Sequence, residues 1–147
     1  MKLPHLIRRF LGSIVARPLS DTEQTLVSNL LLPREMQLFA KLSRADQRHA
    51  MVVLRRFEAA LPSATTEVRR AALLHDIGKA GLRLGVFARV LATVVGPRNE
   101  KFAHYHAHES RGLRMLEQAG SSEVTLRVLR GQADATIVDA LRNADDT

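Results

Sequence analysis

Apolar residues along this chain recur at spacings of three and four, and long β-branched runs are scarce, so the pattern is helical almost throughout. Leu3, Leu6, Ile7, Phe10, Leu11 and Ile14 form one stripe, with Arg8, Arg9 and Arg17 mostly off it. The stripe predicts a basic amphipathic helix, expected to pack onto its own domain rather than to lie on a membrane. Pro18 stops it. Ser20 followed by Glu23 is a capping-box pattern and opens a second helix, running to about Leu32. Pro33 suits the first position of a third, short helix through Met36, Phe39 and Leu42. Ser43 or Asp46 caps a fourth, from about Asp46 to Leu61. A fifth runs from about Thr66 to Gly78, where a residue free to take positive φ is expected as the stop.

Val86, Phe87, Val90, Leu91, Val94 and Val95 make another helical stripe, closed by Gly96-Pro97. Helices from about Tyr105 to Gln118 and from Glu123 to Arg130 follow, with Gly120 between them, and the last begins at Asp134. No segment repeats, none is of low complexity, and no linker divides the chain. The reading is an all-α, compact single domain.

The composition fits this. The chain has 147 residues, of which 46% are apolar, 25% charged and 4% aromatic, the range of one ordinary globular domain. The absence of cysteine excludes a disulfide framework, a zinc ribbon and a cysteine nucleophile. The apolar runs are far shorter than the roughly 20 residues that cross a bilayer, and Arg8 and Arg9 interrupt the one leader-like stretch. A cytoplasmic protein without a membrane span is therefore expected. With 22 basic and 15 acidic residues the net charge is +7, which suits polyanions and phosphorylated small molecules alike. Nucleic acid is the weaker partner of the two, because the basic residues are scattered and aromatic stacking platforms are nearly absent.

Five of the six histidines lie between positions 49 and 108. His49 shares a helix face with Val53, Phe57 and Ala60, so its imidazole is expected to point inward, and the same count groups His75 with Val68, Ala71 and Ala72. Asp145 follows Leu141 and Val138 on an apolar row, whereas Asp146 follows Arg142 and Asp139 on a solvent-facing one. An inward carboxylate without a partner costs several kcal/mol or changes its pKa to avoid being charged. A metal ion satisfies His49, His75, Asp76 and Asp145 together. Mixed nitrogen and oxygen ligands suit Mn²⁺, Fe²⁺, Co²⁺, Ni²⁺ or Zn²⁺ better than Ca²⁺.

The string AALLHDIGK, residues 71–79, closely resembles the signature of the HD domain superfamily of metal-dependent phosphohydrolases. DQRHAMVVLRRF, residues 46–57, resembles the first helix of the same pattern. HESRGLRML, residues 108–116, is similar to the HPEIGAEIL-type stretch of HDIG proteins, and ALRNADD, residues 140–146, to their closing alanine-aspartate element. The resemblance covers roughly residues 45–147, read as the HD domain, and leaves residues 1–44 as an N-terminal helical extension. In that extension Leu30, Leu31, Leu32 and Phe39 offer apolar area either for packing on the core or for a homodimer.

The resemblance implies that His49, His75, Asp76 and Asp145 are the primary ligands of a divalent metal ion, Mg²⁺ included among the candidates. It implies hydrolysis of a nucleotide or related phosphate ester, with Lys79, and more weakly Arg83 and Arg48, meeting phosphate oxygens. His104 and His108, one helical turn apart, are expected as phosphate or proton-transfer groups, and His106 as exposed. Where two-metal HD proteins carry further histidines, this chain reads VLRGQADA, residues 128–135, so one ion per chain is expected rather than two. The glycine-tyrosine-proline motif of cyclic-di-GMP phosphodiesterases is absent, which sets that activity aside. The alternative is a non-catalytic HD module that binds a nucleotide or a protein partner.

Overall fold

The computed structural model describes residues 16–81 and 109–146, and every regular element among them is a helix. Helix α1 (Asp21–Leu30) starts with the expected capping box: the Ser20 hydroxyl accepts from the Glu23 amide at 3.2 Å, and the Glu23 carboxylate accepts from the Ser20 amide at 2.9 Å. Helix α2 (Pro33–Ala40) has Pro33 in its first turn, where the missing amide hydrogen costs nothing. Helix α3 (Arg44–Ala60) begins two residues before the expected Asp46, because Ser43 is its cap and accepts from the Asp46 amide at 3.1 Å.

Helix α4 (Thr66–Leu74), capped by Thr65, is shorter than its sequence pattern predicts. The expected end at Gly78 is corrected: the chain leaves the α conformation at Asp76 (φ −106°, ψ 17°) and tightens into a 3₁₀ turn over Ile77–Lys79. There Lys79 N donates to Asp76 O at 3.0 Å and Ala80 N to Ile77 O at 2.9 Å, three-residue bonds that cannot continue an α-helix. The positive φ expected of Gly78 belongs to Gly81, at 76°.

Helix α5 occupies 109–118 among the described residues, α6 is Glu123–Leu129 and α7 is Ala135–Asp146. The expected helix before Pro18, the stripe from Val86 to Val95, and His5, Arg83, His104, His106 and His108 lie outside the described residues.

Helix α4 packs between α3 and α6, and α7 lies along α3. The core is the facing surface of these elements: Val53, Leu54 and Phe57 from α3, and Ala71, Ala72 and Leu74 from α4, are essentially inaccessible. Each such aliphatic or aromatic side chain contributes about 1.5–3 kcal/mol on burial. The apolar face of α3 stops short of the helix end, since Ala60, expected on the His49 face, is exposed. Leu30, Leu31 and Phe39 are buried against the same core, and Leu32 is partly buried. Glu35 of α2 is fully buried, with its carboxylate accepting from the Leu32 amide at 2.8 Å and the Ser121 hydroxyl at 2.7 Å. It ties α2 to the link between α5 and α6. Among the described residues no helix is long and apolar enough to cross a membrane.

Candidate metal centre

Three separate parts of the fold bring the expected ligand residues to one place. His49 comes from the second turn of α3, His75 and Asp76 from the point where α4 ends, and Asp145 from the last turn of α7. Ligand atoms of His49, His75 and Asp76 all lie within 4.8 Å of one another. Asp145 Oδ1 approaches the two imidazoles, 2.8 Å from His49 Nε2 and 3.3 Å from His75 Nε2, while Asp76 Oδ2 is 3.5 Å from His75 Nε2. The two imidazoles meet edge to face with ring centres 5.3 Å apart.

The His75 ring has a defined orientation. Its Nδ1 lies 2.8 Å from the Ala72 carbonyl oxygen, which only accepts, so the Nδ1 proton is donated there. Nε2 is left pointing at the two carboxylates, buried and without a hydrogen-bond partner among the described residues. A lone pair facing carboxylate oxygens is repelled by them, and the repulsion is relieved by positive charge: a second ring proton or a cation among the donors. Spacings of 2.8 to 3.5 Å suit donors that share one ion, since bonds of about 2.1 Å at right angles set neighbouring donors about 3 Å apart. An imidazole whose other nitrogen donates to a backbone carbonyl is also the usual support of a metal-binding histidine. The donor atoms of His49, His75 and Asp76 are close enough to hold one metal ion.

The electrostatics of the metal-free cluster favour positive charge on the His75 ring. Burial pushes the His75 pKa down, but the Asp145 and Asp76 carboxylates outweigh it and hold it above its ordinary 6.5. Burial pushes Asp76 up, and His75 together with Lys79 outweighs that, leaving the carboxyl below its usual range. Asp145 is held well below the carboxylate range, chiefly by its hydrogen bond with His49 and then by His75.

Lys79, expected to meet phosphate oxygens, donates its ammonium to Asp76 Oδ2 at 2.8 Å, one turn back along the chain. The spacing of three residues was the available signal for that pair. Arg48, a weaker candidate for phosphate, is occupied elsewhere: it donates to the Arg17 and Pro18 carbonyl oxygens at 2.6 and 2.7 Å, fastening the segment before α1 to α3. Asp146 is exposed and Arg142 pairs with Asp139 in solvent, as the row pattern predicts. Two arginines that sequence reasoning passed over lie beside the cluster. Arg56 donates to the Ala144 carbonyl at 3.2 Å, and Arg111 to the Gly78 carbonyl. An open groove of about 650 Å³ beside α7 is lined by Arg56, Leu61, Asp139, Asn143 and Ala144, and the four ligand candidates do not line it.

Comparison with protein-family models, with curated proteins and with solved structures finds no match to this chain.

Proposed function

We propose that the protein is a metal-dependent phosphohydrolase of the HD type, acting on a nucleotide or related phosphate ester with one divalent ion per chain. One observation carries this reading: the buried Nε2 of His75, its ring held by the Ala72 carbonyl, has no hydrogen-bond partner while facing Asp76 and Asp145. His49, His75, Asp76 and Asp145 would hold the ion. When bound, such an ion supplies Lewis acidity, which makes water nucleophilic near neutral pH and polarises a phosphoryl oxygen. Lys79 pairs with Asp76 and is partly exposed, and it would be the cation that meets an anionic substrate. His104 and His108 remain proton-transfer candidates on sequence grounds. The test is phosphate release from a broad nucleotide panel with Mn²⁺, Co²⁺, Ni²⁺ or Mg²⁺ supplied, compared between the wild type and Asp76→Ala. Release by the wild type alone is expected; its absence with every metal, in protein shown to be folded and loaded, rejects the reading.

A second reading, a non-catalytic HD module, is favoured by the charge balance of the cluster. Lys79 and a protonated His75 together offset Asp76 and Asp145 without any ion. It predicts stabilisation by a nucleotide or protein ligand without turnover.

A further inference from the structure

We propose that Arg56 and Arg111 are positioning residues, each holding the turn that carries one carboxylate of the cluster through a backbone carbonyl beside that carboxylate. Asp145 sits in the last turn of α7, where carbonyl groups have no partner within the helix and the turn is prone to fray. Arg56 supplies the missing donor, reaching the Ala144 carbonyl at 3.2 Å. It comes from α3, two turns beyond His49, so one helix provides both a ligand candidate and the clamp on the residue facing it. The Ala144 side chain is buried, which fixes the same turn from its inner side.

Asp76 is held in a matching way. Arg111 of α5 donates to the Gly78 carbonyl, in the 3₁₀ turn that starts immediately after Asp76. Its neighbour Gly112 brings the α5 backbone against that turn: a Cβ there would stand 3.0 Å from Gly78 N and 3.2 Å from Ile77 Cγ2. Arginine bonds to backbone carbonyls recur in this fold, at Arg34, Arg48 and Arg70. Arg56 and Arg111 differ from these because the carbonyls they hold lie within two residues of the two carboxylates of the candidate centre.

The functional consequence rests on the metal-centre reading, and the experiment separates the two. In the full chain, Arg56→Met and Arg111→Met are compared with wild type, with the rescue variants Arg56→Lys and Arg111→Lys, and with Arg69→Met. The last breaks the ion pair between Arg69 and Glu58, away from the cluster, and controls for lost stability. Two quantities are measured: Co²⁺ affinity, and the imidazole NMR signals of metal-free protein at one fixed pH. Each Met variant is expected to bind Co²⁺ about tenfold more weakly, the usual effect of losing a support behind a ligand. Arg56→Met shifts the His49 ring signals, Arg111→Met shifts those of His75, the Lys variants restore both, and Arg69→Met leaves them in place. Met variants that match Arg69→Met, or changes that Lys does not restore, overturn the proposal. If the wild type binds no Co²⁺ the metal reading fails, and the imidazole signals alone decide: shifted and restored signals support the positioning role, unchanged ones overturn it.

Discussion

His49 Nε2 and Asp145 Oδ1 stand 2.8 Å apart although 96 residues separate them in the chain, and this contact joins α3 to the last turn of α7. Asp145→Ala removes the acceptor and leaves His49 and His75 without their shared carboxylate. Since more than a third of the Asp145 side chain is exposed, solvent screening limits the cost to about 1 kcal/mol. Urea unfolding at neutral pH checks this, and a midpoint equal to wild type contradicts it.

The cluster also dictates how stability changes with pH in metal-free protein. A raised pKa at His75 means that its contribution is complete below 6.5 and is lost as pH rises through the higher folded value. The depressed pKa values of Asp76 and Asp145 act oppositely: their contribution is present above the ordinary 3.8 and is lost as pH falls through the folded values. From these groups, maximal stability is expected between 3.8 and 6.5, with a decline on the alkaline side. Asp145→Asn flattens that decline. Saturation with a divalent ion reverses it, because the ligand imidazoles must lose their protons. Urea midpoints across the pH range test the signs, and stability rising steadily above pH 6.5 without metal contradicts them.

Much of this arrangement was legible in the sequence. The caps at Ser20 and Ser43 open α1 and α3, and the inward rows of Val53, Phe57, Val68 and Ala71 are buried as their spacing predicts. His49, His75 and Asp76 lie within 4.8 Å of one another, and Asp145 contacts His49. The early end of α4 was not legible, because AALLHDIGK continues a helical pattern through Asp76, whereas the turn after it meets Arg111 of α5, distant in sequence. Arg56 and Arg111 were invisible for a related reason: they act on backbone carbonyls distant in sequence, and periodicity marks which face a residue takes but not what its guanidinium reaches.

Close backbone contact at Gly112 yields a stability prediction. In Gly112→Ala the new methyl meets backbone at Gly78, which has no rotamer to change, so helix or turn must shift. A loss of about 1–3 kcal/mol is expected. Thermal unfolding within experimental error of wild type would show that the α5 helix and the turn at Gly78 are less tightly seated.

Buried Glu35 is a structural residue remote in sequence from the ligand set. Glu35→Ala leaves the partly buried Leu32 amide and Ser121 hydroxyl without their acceptor, at a cost of about 1–2 kcal/mol. Glu35→Gln keeps an oxygen acceptor in place and is expected to lose less. Denaturant titration of both variants separates an acceptor role from simple side-chain volume, and equal losses contradict the acceptor role.

The metal content of the full chain tests the central claim most directly. Elemental analysis of protein purified without chelator, and again after equilibration with Mn²⁺ or Co²⁺, is predicted to find about one ion per chain in the wild type and none in Asp76→Ala. No ion in the wild type under any of these conditions, or equal content in the two proteins, would contradict the account.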